Sequence, residues 1–297
     1  MPTGKHILHI NYYGSKAKLA PQIVSLMGAH KTYVEPFAGS AVVLLNKASC
    51  GLEVLNDLNH ILVSYYLAIQ NKELRKEVVR RLNDESLYSR AEYLYRRHQY
   101  HALIDNKPDE LSDEEIIERA VICFVSHNQA FSGMTLSRGW SHNVDGSDSE
   151  SKHYRMKIEA LEPVGERLNR VQIEWMDAVE CIEYFDTPDT LFYIDPPYMM
   201  ETRDEGAVGY EVEAEEGLHH RLLNVLNSIE GKAIVSGYDH PLYNEALKEW
   251  FTSTKETYTS AASANQTGGE RARRIEVFWS NFKEQGGLFD AMESESE

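Results

Sequence analysis

The chain has 297 residues, of which 42% are hydrophobic and 26% charged, a composition typical of a globular protein with a full buried core. The sequence shows no apolar run near the length of a membrane span and no signal-peptide pattern, which predicts a cytoplasmic protein without a membrane partner. The cysteines, Cys50, Cys123 and Cys181, stand far apart. Their spacing argues against a disulfide framework and a zinc site, and it agrees with a reducing compartment.

The formal net charge is −17, which by itself weighs against a nucleic-acid partner, because phosphate neutralisation supplies much of that affinity. The charge is unevenly distributed. Residues 72–107 carry nine Lys and Arg against six Asp and Glu, whereas residues 199–216 carry seven acids against one Arg. The net charge therefore weakens a nucleic-acid hypothesis without excluding it. Residues 286–297 form an acidic tail that we expect to be disordered.

The first 70 residues alternate between strand and helix patterns. In chain order we predict a helix at 18–27, a strand at 32–35, a turn at 36–40, a helix at 41–47, a strand at 53–55 and a helix at 59–69. This order predicts a parallel sheet with helices on its faces.

Residues 70–170 have a different character, with helical spacing and then a polar loop. We predict helices at 72–82, 89–101 and 113–125, a loop at 126–148, strands at 171–175, 191–194, 233–236 and 275–279, and helices at 218–229 and 243–250. The simplest architecture is one α/β domain, built from residues 1–70 and 171–285, with a mostly helical inserted domain at 71–170.

The most informative stretch is the apolar run 191–194 followed by Asp195, Pro196, Pro197 and Tyr198. The run suits a buried parallel strand, which two prolines cannot continue. Asp195 and Tyr198 are therefore expected near the carboxyl end of the strand, where open α/β sheets bind ligands. A carboxylate, the Pro196 carbonyl and an aromatic ring can hold a planar base that bears an amino group. A plain proline turn is the alternative.

Two further strand ends, a glycine turn and the opening segment carry residues suited to a ligand. Gly39, between a strand and a helix, lets a ligand approach the backbone, although the repeated glycines of a dinucleotide site are absent. Asp57 is placed to accept from ribose hydroxyls and Asp177 from an adenine amino group, or each can cap the helix that follows it. Residues 12–16 combine a ring, a turn and the Lys16 cation, which can hold a carboxylate or form a surface loop.

Together these segments resemble the Dam-like DNA adenine-N6 methyltransferases. The resemblance rests on Tyr13-Gly-Ser-Lys16, Glu35-Pro-Phe-Ala-Gly39, Asn56-Asp57 and Asp195-Pro-Pro-Tyr198, and it extends to Ser236-Gly-Tyr238 and Thr267-Gly-Gly269. The glycine turn comes first and the Asp-Pro-Pro-Tyr motif follows the insertion, as in that family. The family often has a second glycine where Ala41 stands, and two glycines where this chain has Gly14-Ser15.

The resemblance implies a Rossmann-like methyltransferase sheet with helices on both faces, and S-adenosyl-L-methionine as the cofactor. The implied cofactor-binding residues are Tyr12, Tyr13, Gly14, Lys16, Glu35, Pro36, Phe37, Ala38, Gly39, Ser40, Asp57, Asp177 and Asp195. Phe37 would pack on the cofactor, Asp57 would bind its ribose hydroxyls and Asp177 its adenine. Lys16 with the turn at 12–14 would hold the methionine end.

The implied catalytic residues are Asp195, Pro196, Pro197 and Tyr198. Hydrogen bonds from an exocyclic amino nitrogen to Asp195 and to the Pro196 carbonyl would free the lone pair of the nitrogen. The carboxylate would then stabilise the developing positive charge. The target base has to leave the helical stack, and Tyr198 would stack on it. No metal is required.

Double-stranded DNA is the implied partner, with target recognition in residues 71–170. The candidates for base contacts lie in a polar, glycine-bearing stretch: Asn128, Gln129, Ser132, Arg138 and His142. The candidates for phosphate contacts are Arg80, Arg81, Arg96 and Arg97. The alternatives are a structural loop for the first set and a solvated helix face for the second. A cognate restriction endonuclease is compatible with the sequence, which does not define the recognised DNA word or the oligomeric state.

Other acceptors stay open at this point, namely cytosine N4 in DNA and adenine in RNA. Asp195 favours adenine, because cytosine-N4 enzymes more often carry Ser at this position and protein-glutamine methyltransferases more often carry Asn. A non-catalytic DNA-binding protein on the same fold is an alternative of a different class. The intact motif from Asp195 to Tyr198 argues against it.

Overall fold

A computed structural model describes residues 7–104, 110–133, 135, 139–142, 149–197, 209–258 and 273–283. Its helices are α1 Ala20–Leu26, α2 Val42–Asn46, α3 His60–Gln70, α4 Lys72–Asp84, α5 Arg90–Ile104, α6 Asp113–Asn128, α7 Ser149–Glu159, α8 Leu161–Leu168, α9 Ala178–Phe185, α10 Gly209–Leu226 and α11 Pro241–Ala246. Its strands are β1 Thr32–Glu35, β2 Leu52–Asn56, β3 Val171–Glu174, β4 Thr190–Ile194, β5 Lys232–Tyr238, β6 Phe251–Tyr258 and β7 Arg273–Ser280. A 3₁₀ turn covers Phe131–Gly133. Within these ranges, no helix is both long enough and apolar enough to cross a membrane.

The chain divides into two compact units. The first unit contains Met1–Val24, Ala38–Ser49 and Asp57–Trp175, and the second contains Ser25–Phe37, Cys50–Asn56 and Met176–Glu297. The sequence predicts cofactor binding by residues 1–70 with 171–285 and target recognition by residues 71–170. This functional division stays a prediction.

The second unit is built on a mixed β-sheet, in which the strands of this unit follow the order β2-β1-β4-β5-β7-β6. Strands β2, β1, β4 and β5 run parallel, and β7 runs antiparallel to both β5 and β6. Because β1 has β2 on one side and β4 on the other, the order of connection reverses at β1. Ligands of open α/β sheets bind at the carboxyl ends of the strands beside such a reversal. The ends of β1 and β4 are therefore the expected site in this unit.

An apolar core holds this sheet against its helices. Every residue of β4 is buried, as the apolar run 191–194 predicts. Phe192 and Ile194 pack in one cluster with Ile182 of α9, Leu222 of α10 and Trp279 of β7. Burying an aliphatic or aromatic side chain of this size contributes roughly 1.5–3 kcal/mol. This rigid layer carries Asp195, which follows directly.

The first unit is mostly helical, as predicted for residues 71–170. Helix α6 packs against α3, α4 and α5. The side chains of Asn59 and Asn71 cap α3 and α4, and Ser112 forms a capping box with Glu115 at the start of α6. These capping residues define where the helices begin.

Most predicted elements are confirmed to within a few residues, and the predicted α/β class is confirmed. Strand β6 is not predicted, because its polar sequence gives no apolar alternation, and α7, α8 and α9 are also missed. The helix predicted at 243–250 is shorter than expected, since α11 ends at Ala246. Pairing with β7 draws the chain from Phe251 onward into a strand.

Three buried histidines make the stability of the fold pH dependent. His9 and His127 in the first unit and His219 in the second are at most 4% exposed. Burial disfavours the charged imidazole and lowers the pKa of each to about 4. As the pH falls below about 6.5, the unfolded chain binds protons before the native chain does. The contribution of these histidines to the unfolding free energy is therefore fully present above pH 6.5 and is lost as the pH falls towards 4.

We expect each of these histidines to contribute up to about 1.4 kcal/mol of unfolding free energy per pH unit in the acid range. Urea unfolding at a series of pH values measures this slope. His127→Gln should make the slope shallower by one such contribution below pH 6, while the two slopes coincide above pH 7. Equal slopes in the acid range would contradict the assignment.

Candidate active site

The opening segment of the first unit is a tight turn. The Ser15 amide donates to the Tyr12 carbonyl at 3.0 Å, and Gly14 has a φ of +81°, as the third position of a type II turn requires. The Lys16 side chain is buried, and its Nζ donates to the Gly14 carbonyl at 3.2 Å. The Tyr13 ring is 48% exposed. The turn therefore combines a defined backbone, a buried ammonium group and an exposed ring.

The glycine turn has a left-handed backbone at two positions. Gly39 has a φ of +46° and Ala41 a φ of +50°, which is unusual for a residue with a side chain. Ala41 stands where the motif resemblance leads us to expect a second glycine, and its backbone adopts the left-handed conformation that glycine favours. A Cβ atom at Gly39 would lie 3.2 Å from the Tyr12 ring. Glycine is therefore favoured at 39 by both the backbone conformation and the space beside the Tyr12 ring.

Asp57 ties the glycine turn to the start of α3. Its Oδ2 accepts from the Gly39 amide at 3.0 Å, and its Oδ1 accepts from the Asn59 amide at 2.9 Å. Tyr66 donates its hydroxyl to the Gly39 carbonyl at 2.5 Å. Burial raises the pKa of Asp57, although the backbone hydrogen bonds oppose the rise. Asn59, rather than Asp57, is the N-cap of α3.

These contacts bring three predicted segments together within the first unit, namely residues 12–16, residues 38–40 and Asp57. The hydroxyls of Ser15 and Ser40 lie 2.8 Å apart and link two of them.

In the second unit, a single buried amide joins the ends of two strands. Asn56 donates to the Pro36 carbonyl at 3.0 Å and to the Met176 carbonyl at 3.1 Å, and its Oδ1 accepts from the Met176 amide at 3.0 Å. Glu35, at the end of β1, is buried and accepts from the Tyr33 hydroxyl at 2.8 Å. Asn56 therefore positions the turn after β1 beside the segment that carries Asp177.

Asp177 caps α9, which is the alternative considered for it. Its Oδ1 accepts from the Val179 amide at 2.9 Å, and its carboxylate pairs with Arg221 at 2.9 Å. Burial raises the pKa of Asp177, but the hydrogen bonds from Arg221 and Val179 outweigh burial and lower it. Phe37 is partly buried against the sheet core.

Asp195 leaves β4 at its carboxyl end, with Pro196 buried and Pro197 exposed after it. The Ser236 hydroxyl of β5 donates to Asp195 Oδ1 at 3.0 Å, and the Tyr193 hydroxyl lies 3.0 Å from Ser236 Oγ. These contacts hold the carboxylate at the edge of the sheet where the order of the strands reverses. The predicted catalytic residue Tyr198 lies outside the described residues.

A buried histidine lies behind the proline turn. His219 Nδ1 is 2.6 Å from the Tyr243 hydroxyl, and the Pro197 carbonyl is near enough to the imidazole to raise its pKa against the effect of burial. Among the described residues, none makes a hydrogen bond of standard geometry to His219 Nε2. The Pro197 carbonyl is therefore close to His219 of α10, although the Pro197 residue itself is exposed.

Two of the residues predicted to contact DNA bases, Asn128 and Gln129, are buried and bind groups of the protein. Asn128 is buried, accepts from the Asn11 amide and donates to the His9 carbonyl. Gln129 is fully buried, donates to the Leu87 carbonyl and accepts from Ser89 and Trp140. Their side-chain amides are engaged inside the first unit.

His142 is exposed, and its ring stacks on Trp140 at a centroid distance of 5.3 Å. The Arg90 guanidinium lies 5.3 Å from the Trp140 ring centroid. Ser132 lies in the 3₁₀ turn, and Arg138 lies outside the described residues. Arg90 and His142 therefore place an exposed cation and an exposed imidazole beside the half-buried indole of Trp140.

The arginines considered for phosphate contacts have acidic or carbonyl partners. Arg80 pairs with Glu77 and Glu85, Arg81 with Glu77 and Glu114, and Arg96 with Glu92 and Glu118. Arg97 donates to the Thr135 carbonyl. The local excess of positive charge read from the sequence is thus largely paired within the helices.

The sequence motifs contain Asn56 and Ser236, but they assign neither residue a positioning role. The structure shows that Asn56 links two backbone segments and that Ser236 donates to Asp195. A signal for these roles was present, because each is a small polar residue in a strand that is otherwise mainly apolar. Such a side chain needs a hydrogen-bond partner when it is buried.

A comparison with protein families decides the assignment. The family model of D12 class N6 adenine-specific DNA methyltransferases matches residues 12–264. The chain belongs to this family. The resemblance drawn from the motifs is confirmed, and the protein is an N6 adenine-specific DNA methyltransferase.

Solved structures resemble this methyltransferase only distantly. The rRNA methyltransferase aviRa from Streptomyces viridochromogenes is 17% identical over 94% of this chain and 91% of its own, with a TM-score of 0.39. Precorrin 8W decarboxylase from Methanobacterium thermoautotrophicum is 11% identical over 90% of both chains, with a TM-score of 0.35. Values this low support no conclusion about function. No curated protein sequence matches the chain significantly.

The position of the Tyr12 ring beside Gly39 predicts that alanine costs more stability at Gly39 than at Gly14, although both glycines have a left-handed backbone. Gly39→Ala and Gly14→Ala should each cost about 1–2 kcal/mol of unfolding free energy because of the backbone conformation. Gly39→Ala should cost about 1 kcal/mol more through overpacking. The Tyr12 ring also stacks with His127 at 5.2 Å and has little freedom to move, whereas no atom of the described residues lies within 4 Å of a Cβ atom at Gly14. Urea unfolding measures both costs, and equal costs would show that the Tyr12 contact is unimportant.

Proposed function

We propose that the enzyme transfers a methyl group from S-adenosylmethionine to N6 of an adenine flipped out of double-stranded DNA, and that Asp195 receives the amino group. The observation that carries the proposal is the position of Asp195. Its carboxylate follows a fully buried strand at the reversal point of the sheet and accepts a hydrogen bond from Ser236 at 3.0 Å. The family match supports the reaction and the DNA substrate.

The chemistry assigned to the site starts from a weak nucleophile, because the lone pair of the adenine amino nitrogen is delocalised into the ring. Asp195 and the Pro196 carbonyl accept hydrogen bonds from its two hydrogens and favour a tetrahedral nitrogen with an available lone pair. The carboxylate stabilises the positive charge that develops on this nitrogen as it gains the methyl group. The extra proton then leaves to water. The stacking role assigned to Tyr198 stays a prediction.

S-adenosylmethionine supplies an activated methyl group on a positively charged sulfur when it is bound. The side chains at the predicted positions fit this ligand by their chemistry. In the first unit, the Asp57 carboxylate suits ribose hydroxyls, and Lys16 with the turn at 12–14 suits a carboxylate. In the second unit, Glu35 suits an amino group and the Phe37 ring suits a purine face. The predicted contributions of Pro36, Ala38, Gly39 and Ser40 to cofactor binding would come from their backbone groups.

We propose that DNA recognition by residues 71–170 uses two exposed groups and a half-buried indole rather than the buried amides. His142, Trp140 and Arg90 form a stacked, cationic surface suited to bases and phosphates. Asn128 and Gln129 would then have a structural role, because all their described partners are groups of the protein.

Asp195→Ala tests the catalytic assignment. We expect the single-turnover methylation rate to fall at least about 100-fold, the order of effect seen when one electrostatic partner of a reacting group is removed. Most of the S-adenosylmethionine affinity should remain. Glu183→Ala, which removes an exposed acid of α9, is the matched control and should react like the wild type. An Asp195→Ala enzyme with full activity would refute the mechanism.

The acceptor and the sequence word are read from DNA of cells that express the wild type or Asp195→Ala. Sequencing that detects modified bases should find N6-methyladenine in one recurrent context with the wild type alone. Modified cytosine, or no modified base with the wild type, would contradict the proposed acceptor.

Asp177→Ser separates cofactor binding from helix capping. Serine keeps the N-cap of α9 but removes the carboxylate, so stability should be preserved. If Asp177 binds the adenine of the cofactor, calorimetry should show at least about a 10-fold rise in the Kd for S-adenosylmethionine. Arg221→Ala releases the carboxylate from its ion pair and should leave the Kd unchanged or lower it. A wild-type Kd for Asp177→Ser would assign Asp177 to capping alone.

A further inference from the structure

The Asp195 carboxylate is held by a chain of two buried hydroxyls from neighbouring parallel strands. In the register of β4 with β5, Tyr193 pairs with Ile234 and Ile194 pairs with Val235. Ser236 follows on β5 with no exposed surface, and Tyr193 is 3% exposed. The Ser236 hydroxyl lies 3.0 Å from Asp195 Oδ1 and 3.0 Å from the Tyr193 hydroxyl.

The direction of this chain follows from the number of protons. An ionised carboxylate can only accept a hydrogen bond, so the single hydroxyl proton of Ser236 is donated to Asp195. The contact between Ser236 and Tyr193 then needs the phenol to donate. Burial, with the nearby Asp195 charge, raises the pKa of Tyr193 well above its ordinary value, so the phenol keeps its proton. The order is Tyr193 to Ser236 to Asp195.

The carboxylate needs such a chain because its own torsion is soft. The last torsion of an aspartate side chain has a broad distribution, and rotation about it moves both oxygens. A hydrogen bond to one oxygen at a defined position selects one orientation of the carboxylate plane. Transfer to the amino nitrogen depends on that orientation, since small misplacements of reacting groups are costly.

We propose that Ser236 and Tyr193 are positioning residues for methyl transfer, which orient the Asp195 carboxylate towards the target amino group. This inference rests on the proposed function of Asp195. It adds a requirement that the strand-end motif does not contain, namely a hydroxyl at Ser236 of β5 and a phenol at the residue two positions before Asp195.

Ser236→Ala should lower the single-turnover methylation rate about 10- to 100-fold, the range for losing a hydrogen bond to a charged group. The KM for DNA and the Kd for S-adenosylmethionine should stay within about 3-fold of wild type, because neither substrate contacts Ser236 in this proposal. A single-turnover rate is required, since product release often limits kcat. A purely structural role would not separate the rate from the binding constants in this way.

Ser280→Ala is the matched control. Ser280 is a buried strand serine of the same sheet, and its hydroxyl donates to the Phe282 carbonyl at 3.0 Å instead of to Asp195. The Ser280→Ala variant also loses one hydrogen bond from a buried serine, but that bond does not reach Asp195. We therefore expect it to keep the wild-type rate. Equal rates for Ser236→Ala and Ser280→Ala would overturn the proposal.

Tyr193→Phe tests the order of the chain and replaces Ser236→Ala if that variant folds poorly. It should lower the rate roughly 2- to 5-fold at unchanged KM. Combined with Ser236→Ala it should add nothing, because Tyr193 acts through Ser236. A rate for Tyr193→Phe equal to that of Ser280→Ala, or an additive double variant, would count against the chain.

These variants separate failure of the positioning role of Ser236 and Tyr193 from failure of the catalytic role proposed for Asp195. If Asp195→Ala is inactive while Ser236→Ala and Tyr193→Phe react like Ser280→Ala, only the positioning role is lost. If Asp195→Ala is active, the proposed function fails with it.

Discussion

The parallel pairing of β1 with strands on both sides is the constraint on which the second unit depends. Each parallel neighbour has to be reached by a crossover, so the chain leaves the sheet at the same edge after every one of these strands. Glu35, Asn56 and Asp195 come from distant parts of the sequence, yet the shared edge gathers them. The conformation of these strand ends matters more to the site than any single helix does.

Buried polar side chains hold these strand ends in place. An unmatched amide or hydroxyl inside a protein costs about 1–3 kcal/mol, so each buried polar group restricts what its neighbours can do. Asn56 uses both ends of its amide on backbone groups of two separate segments. In the first unit Asn128 accepts from Lys157, whose pKa is lowered to about 8 by burial. Asn56 and Asn128 thus hold segments of the candidate site in position, although neither residue contacts a ligand in the proposed mechanism.

The sequence predicts the strands and turns of the site well, because they carry local signals. The run 191–194 is followed by Asp195 and two prolines, and Gly39 marks a turn whose backbone conformation favours glycine. These signals act within a few residues and need no tertiary context. The family assignment follows from the order of such motifs, and the family match confirms it.

What the sequence did not reveal depends on partners far along the chain. The partners of Asn128 and Gln129 are brought to them by folding, so the sequence leaves both base contacts and a structural loop open for these residues. In the same way, the sequence leaves both phosphate contacts and a solvated helix face open for Arg80 and Arg96, which acids on their own and neighbouring helices neutralise. Strand β6 exists because β7 pairs with it, and no apolar pattern announces it.

Ala41 shows what a motif encodes. Its side chain departs from the glycine expected from the motif, but its backbone has a φ of +50°, a conformation that costs roughly 1–2 kcal/mol with a side chain present. A motif that demands glycine at this position would miss the chain, although the backbone has the dihedral angle that glycine readily adopts. The turn therefore constrains a dihedral angle more tightly than it constrains the residue type, and alanine meets that constraint at a cost in stability.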